Sequence, residues 1–209
     1  MRPAGTVAPI FPTATVRTDE TESKPMKTRR ASLAAALLTA SLALTGCGSS
    51  DAGSVPDGWG TLKTKGVDVS YPKGYEEQSA SERGEHNAAA AVRTEDGRRV
   101  SVITVQLGFT EANSAEQAAI AAEAGIQMGA AVKGQKDVEL AGADGAKRID
   151  FTFKATGEDG GPPKGTPVEG VILAGLDSTD SAFAVRVDAQ QGSLSDGDLD
   201  RIIDSVEVH

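Results

Sequence analysis

The chain has 209 residues, with 21 lysines and arginines against 30 aspartates and glutamates, so its formal net charge is −9. An acidic chain repels phosphate backbones, which argues against nucleic-acid binding. A single cysteine cannot form an internal disulfide, and this cysteine with two histidines is a poor basis for a zinc site. We therefore predict no cofactor and no metal site, and the length predicts one domain together with processing segments.

A secretory leader is predicted over residues 26–46. Lys27, Arg29 and Arg30 form a basic start, and the 14 residues from 31 to 44 carry no charge. A run of this length is too short to span a bilayer, which takes about 20 apolar residues. Its length and flanks are typical of a signal peptide. The paired arginines leave twin-arginine export open beside the general secretory route.

The leader ends in Leu44-Thr45-Gly46-Cys47, which resembles the lipobox of bacterial lipoproteins. The resemblance implies that the cysteine receives a diacylglycerol and becomes the first residue of the mature chain. A stray thiol after an ordinary signal peptide is the other interpretation, but an unpaired cysteine in an exported protein needs a role, and lipidation supplies one. The sequence thus predicts lipid attachment at Cys47 and a position on the outer face of the cytoplasmic membrane.

The segments around the leader differ in composition from the rest of the chain. Residues 1–25 have little apolar pattern and are interpreted as a disordered extension or as a misassigned start ahead of Met26. Residues 47–58 are rich in Gly, Ser and Asp and predict a flexible tether. Residues 1–46 hold six basic and three acidic residues, so the rest of the chain keeps 15 basic and 27 acidic residues and a net charge of −12. A single domain over 59–209 with this charge is expected to stand away from anionic lipid.

The domain is patterned mainly as strands. Residues 67–71 alternate apolar and polar side chains until Pro72 ends the pattern, and residues 146–154 alternate most cleanly. Two hairpins are predicted, from residues 87–94 and 99–107 about Asp96-Gly97, and from residues 168–174 and 182–189 about the turn 177–180.

The last predicted strand shows which of its side chains should be buried. Alternation predicts that Phe183, Val185 and Val187 face the core, whereas the charged Arg186 and Asp188 face outward.

Two helices complete the pattern. Ser114 and Gln117 fit a capping box, and an alanine-rich run continues to Met128, with Gly129 as the predicted stop. The C-terminal helix is predicted from helical spacing of Leu199, Ile202, Ile203 and Val206, with residues 205–208 left open as a short strand. Hairpins around an isolated helix predict an α+β fold with an antiparallel sheet, one middle helix and one C-terminal helix.

Two segments resemble a known family. Val69-Ser-Tyr-Pro-Lys-Gly-Tyr75 resembles the opening of the PsbP-like fold, and Asp200-Arg-Ile-Ile-Asp-Ser-Val206 resembles its final helix and strand. Together with the lipobox, the chain resembles the actinobacterial lipoproteins of the LpqN and LpqT type. It departs from the family at Tyr75, where a tryptophan is common. The resemblance implies a non-enzymatic accessory or binding protein and supplies no catalytic residue.

Ser70-Tyr-Pro-Lys73 matches the S-x-x-K motif of penicillin-binding proteins. That chemistry needs the serine at a helix start, which Pro72 at a strand end does not allow, and no S-D-N or K-T-G element accompanies it. No catalytic role is predicted for this serine.

Asp196, Asp198, Asp200 and Glu207 have the spacing of positions 1, 3, 5 and 12 of a calcium-binding EF-hand loop. Arg201 stands where that loop needs glycine, and the same segment carries the apolar stripe of the C-terminal helix. Acidic residues that complement the dipole at a helix start are the preferred interpretation.

His86 lies in a polar stretch and is predicted to be solvated, since the sequence offers no nucleophile to pair with it. The alanine run 88–91 predicts a face for close helix packing, with a groove for an apolar ligand as the alternative.

These features predict an exported, lipid-anchored, non-catalytic module that engages an unidentified envelope protein or complex. The alternative is a carrier of a small apolar ligand or lipid in a cavity between helix and sheet. A pocket of about 300 Å³ or more lined by aliphatic and aromatic side chains would favour the carrier, and a flat exposed apolar patch would favour the partner-binding module. An envelope hydrolase would need a convergent cluster around His86. The sequence does not predict ligand-binding residues.

Overall fold

The computed structural model describes residues 55–126, 128–158 and 160–209. Within these ranges the chain forms ten strands and two helices. They are β1 (Gly60–Lys63), β2 (Val67–Tyr71), β3 (Tyr75–Glu77), β4 (Ala89–Glu95), β5 (Arg98–Leu107), α1 (Ala115–Ala124), β6 (Ala131–Val138), β7 (Ala146–Lys154), β8 (Pro167–Leu176), β9 (Ala182–Gln190), α2 (Asp196–Asp204) and β10 (Glu207–Val208).

The strands form two antiparallel sheets. The larger sheet has the order β3-β4-β5-β9-β8-β7-β6, and the smaller has the order β1-β2-β10. Helix α1 packs against β7, β8 and β9 on one face of the larger sheet, and the smaller sheet and α2 cover the other face. The predicted α+β class, with an antiparallel sheet, a middle helix and a C-terminal helix, is confirmed. No helix in the described ranges is long and apolar enough to cross a membrane.

The main core lies between the larger sheet and the layer formed by the smaller sheet and α2. Strands β5 and β9 supply its centre, because Ile103 and Val105 are paired in register with Val187 and Val185. The predicted inward residues of β9 are buried here, as are Ile202 and Ile203 of α2, while Leu199 is half-buried. Fully buried side chains in this core include Leu62, Val67, Val69, Ile103, Val105, Phe183, Val185 and Ile202.

A second core lies between α1 and the larger sheet. Ala118, Ala119 and Ala122 are buried against Ile149 and Ile172 of the sheet. Alanine side chains let the helix approach the sheet closely, and side chains fill the space between the two elements.

One aromatic side chain in this second core needs a glycine opposite it. Phe151 of β7 pairs in register with Gly170 of β8, and its ring lies directly over that glycine. A Cβ atom at Gly170 would lie 2.2 Å from the ring, so no other residue fits without displacing Phe151. The guanidinium of Arg186 stacks 5.0 Å from the same ring.

The prediction for the end of the middle helix was wrong. Helix α1 ends at Ala124 with Gly125 as its C-cap, four residues before the predicted stop at Gly129. The N–H of Gly125 donates to the carbonyl of Ala122, so the helix ends at the first glycine it meets. Glycine costs about 1 kcal/mol relative to alanine in a helix interior, which favours that position as the end.

Three strands were not predicted, namely β1, β3 and β6. Strand β6 forms one edge of the larger sheet, and its residues are exposed apart from the half-buried Val138. A bulge between Val132 and Gly134 and the charged Lys133 and Lys136 disfavour pairing with another chain at this edge. A strand without a buried face shows no apolar alternation.

Candidate functional site

The predicted lipid site lies outside the described residues. Leu44, Thr45, Gly46 and Cys47 all precede residue 55, as do the leader and most of the tether. Lipid attachment at Cys47 therefore stays a prediction from sequence.

The serine of the S-x-x-K motif is a structural residue of the smaller sheet. Ser70 is 2% exposed, and its hydroxyl lies 3.3 Å from that of Thr61 on the neighbouring strand. Its N–H donates to the hydroxyl of Ser205. Lys73 is exposed in the turn after β2, and neither Ser70 nor Lys73 lies at the start of a helix. This arrangement does not place the lysine as the base of a serine nucleophile.

Three of the four acidic residues with EF-hand spacing lie on α2. Ser195 is the N-cap of α2, and its hydroxyl accepts a hydrogen bond from the N–H of Asp198. Asp198 also pairs with Arg201, while Glu207 lies beyond the helix in β10. Residues wound into a helix cannot wrap around one ion, and no group of three metal-ligating side chains occurs among the described residues.

His86 is exposed in the segment before β4, as predicted from its polar surroundings. It borders a shallow hollow of about 580 Å³ together with Asn87, Gln106 and Phe109. The side chains that line this hollow include no hydroxyl or thiol nucleophile.

Two residues of the alanine run face the layer opposite the middle helix. Ala89 and Ala91 belong to the main core beneath the smaller sheet, where β1 packs against β4. Their small side chains let strands approach each other, so at these two positions the packing partner is a strand and not α1.

The strongest candidate site is formed where a loop folds over the end of the larger sheet. Residues 155–166 connect β7 to β8, and the Arg99 N–H of β5 donates to the carbonyl of Gly160 over 2.8 Å. The loop therefore crosses β9 and reaches a strand three positions away from β7, a distance of about 14 Å. At its base, the Ala155 N–H donates to the carbonyl of Thr166 over 2.9 Å.

A cavity of about 170 Å³ lies between this loop and the sheet. Its apolar walls come from Val102, Phe153, Pro162 and Val168. Its polar side chains include Arg99, Thr156, Glu158, Asp188 and Gln190. We call this space the loop cavity.

Asp188 is the most shielded charge of the loop cavity. Its side chain is 16% exposed and pairs with Arg186, two residues earlier on the same face of β9. The Arg186 Nε donates to both carboxylate oxygens, at 3.0 and 2.9 Å. Asp188 is among the residues that line the cavity, whereas Arg186 is not.

The backbone beneath Asp188 is held by a chain of hydroxyl groups. The Tyr75 hydroxyl donates to the Ser101 hydroxyl over 2.6 Å, and Ser101 donates to the carbonyl of Asp188 over 2.9 Å. Three strands, β3, β5 and β9, are thereby tied together under the loop cavity.

Burial raises the pKa of the Asp188 carboxyl above its ordinary value of 3.8, and the attraction of Arg186 opposes this rise without cancelling it. A carboxyl whose pKa is higher in the folded chain favours the folded state at low pH. That advantage is lost as the pH rises from 3.8 through the folded value.

Replacing Arg186 by glutamine is therefore expected to raise the pKa of Asp188 further, because it removes the cation that holds it down. The variant should lose more stability at neutral pH, where Asp188 is charged, than below pH 3.8. Carboxyl carbon NMR titration and urea unfolding at both pH values measure these effects. Arg148→Gln is the control, because Arg148 pairs with Asp150 on the opposite face of the sheet. A variant Asp188 that titrates at or below its ordinary value would contradict this account.

Sequence reasoning predicted that Asp188 faces outward, and it does lie on the sheet face opposite the main core. Asp188 is nevertheless largely buried, because the loop of residues 155–166 covers it. A covering segment from elsewhere in the chain does not affect the alternation of side chains along β9, so the sequence of β9 does not predict this burial. Residues 157–167 are rich in glycine and proline, which are typical of a loop but do not encode its path across the sheet.

No protein-family profile matches the chain, and no curated protein matches it. Similar solved structures include one from a cyanobacterium and one from a Bacteroides species. The solution structure of the cyanobacterial PsbP protein CyanoP from Synechocystis sp. PCC 6803 is 11% identical, with a TM-score of 0.43 over 79% of this chain and 99% of that chain. A crystal structure from Bacteroides thetaiotaomicron VPI-5482 is 12% identical, with a TM-score of 0.41 over 68% of this chain and 45% of that chain. The similarity concerns the fold alone and says nothing about activity or partners.

Proposed function

We propose that the chain is an exported lipoprotein of PsbP-like fold whose domain engages an envelope protein without catalysing a reaction. We infer the lipid anchor from the order of a basic start, a 14-residue uncharged run and Leu44-Thr45-Gly46-Cys47. Val55 is eight residues after Cys47, a separation of at most roughly 28 Å, so the domain stays close to the membrane.

An exposed apolar patch beside α1 supports a protein partner. Met128 is 96% exposed, and Ile120 and Val132 are 61% and 41% exposed. Val132 pairs in register with Phe151, which places its side chain on the face that α1 covers. Met128 also borders a shallow hollow of about 480 Å³ with Phe153. We infer that the exposed Ile120, Met128 and Val132 form one surface, which we call the apolar patch.

A protein suits this patch better than the bilayer does. The net charge of −12 that follows removal of residues 1–46 repels anionic lipid. The space between α1 and the sheet is filled by Ala118, Ala119 and Ala122, so a lipid carrier finds no support there. The apolar patch belongs to a domain that is held near the membrane while its net charge is repelled by anionic headgroups. Its exposed apolar side chains are therefore suited to contact a neighbouring protein.

A photoreactive amino acid at position 128, in the native host, tests this proposal. We expect a discrete adduct with one protein of the membrane fraction. The matched control places the same group at Asp204, which is exposed on α2 in the layer opposite α1. Substitution of Val132 by aspartate should weaken the adduct from position 128 without lowering the melting temperature. Identical adducts from both positions, or no adduct from either, would refute partner binding by the apolar patch.

A further inference from the structure

We propose that the loop cavity is a binding site for the head of a small primary amine with an apolar body. The site is distinct from the apolar patch and does not depend on the lipid anchor, so it stands or falls separately from the function proposed above.

The volume limits the size of the ligand. A cavity of about 170 Å³ is well below the roughly 300 Å³ at which sites for drug-sized ligands begin. A single ring with a short polar arm fits within this space, whereas an acyl chain or a nucleotide would extend beyond it. The site is therefore suited to a small metabolite or to one side chain of a larger partner.

The charges favour a cation over an anion. Among the described residues that line the cavity, Asp188 and Glu158 carry carboxylates and Arg99, which has an interaction partner of its own, carries a guanidinium. Arg186 neutralises part of the Asp188 charge from outside the lining, but a carboxylate has about four acceptor positions and Arg186 approaches it from one side. An ammonium group in the cavity would form a charge-assisted hydrogen bond with the shielded carboxylate.

The walls favour an apolar body next to that ammonium group. Val102, Pro162 and Val168 offer aliphatic contact, and Phe153 offers a ring face that attracts a nearby cation. The loop is held by backbone hydrogen bonds at its base, where Ala155 bonds to Thr166, and near its middle, where Gly160 accepts from Arg99. Because the loop is already ordered, binding of a small ligand does not require the free energy of ordering it.

NMR chemical shifts of the backbone amides test the proposal on the full chain, purified from the cell fraction in which it is found. Three ligands of similar shape are compared, namely benzylamine, benzyl alcohol and benzoate. Benzylamine is expected to shift the amides of Val102, Gly161 and Asp188 and to saturate in the millimolar range. Benzyl alcohol should bind about tenfold more weakly, because it lacks the charge-assisted hydrogen bond. Benzoate should not bind.

Asp188→Asn should reduce the benzylamine affinity to that of the alcohol, while Asp150→Asn on the opposite face should leave it unchanged. Equal affinities for amine and alcohol in the unchanged protein, or shifts confined to residues outside the loop cavity, would overturn the proposal. That comparison needs no variant, so it decides the matter even where Asp188→Asn fails to fold.

Discussion

Replacing Phe151 by alanine is expected to lower the free energy of unfolding by about 3–5 kcal/mol. The side chain is 1% exposed, and its ring fills the space over Gly170 and beneath α1. The substitution leaves a cavity there and removes the surface on which the Arg186 guanidinium stacks. Urea unfolding followed by circular dichroism measures the loss.

The glycine opposite Phe151 supplies the matched control. Gly170→Ala alone should also destabilise the chain, by about 1–3 kcal/mol, because the new methyl group meets the ring. In the Phe151→Ala background the same methyl group enters empty space, so its effect should shrink or change sign. Simple additivity of the two losses in this double-mutant cycle would contradict the packing described here.

Replacing Cys47 by alanine is expected to move the protein almost completely from the membrane fraction to the soluble fraction. Each buried methylene of an acyl chain contributes about 0.8 kcal/mol to membrane binding, so two chains hold a protein firmly on the membrane. The variant carries no acyl chain and therefore loses this binding energy. The uncharged run of 14 residues is too short to replace the anchor as a membrane span. Fractionation and immunoblotting measure the distribution.

Gly48→Ala provides the control for Cys47, since it changes the next residue and keeps the thiol. This variant should remain in the membrane fraction. Retention of Cys47→Ala on the membrane to the same extent as the parent protein would exclude an anchor on this cysteine.

The elements predicted most accurately from the sequence were those with one buried face. Residues 67–71 and 146–154 were predicted with the bounds that β2 and β7 show, because their alternating side chains meet a core on one side. The hairpin arms were predicted to within two residues. Strand β6 was missed because its exposed edge carries no such alternation.

The candidate site was far less predictable than the fold. Asp188 was expected to face outward, and only the path of residues 155–166 across the sheet shows that it is covered. The hydrogen bond from Arg99 to Gly160 joins segments about 60 residues apart, and no local pattern encodes such a contact. The apolar patch was equally hidden, since Met128 was expected to lie within the helix that ends before it.

The intact mass of the protein extracted from membranes of its native host tests the lipid anchor. We expect a species that begins at Cys47 and is heavier than its amino-acid sequence by at least a diacylglycerol. Detection of only an unmodified chain, in the cytosol or released from the cell, would contradict the lipid anchor and with it the positional role proposed for the domain.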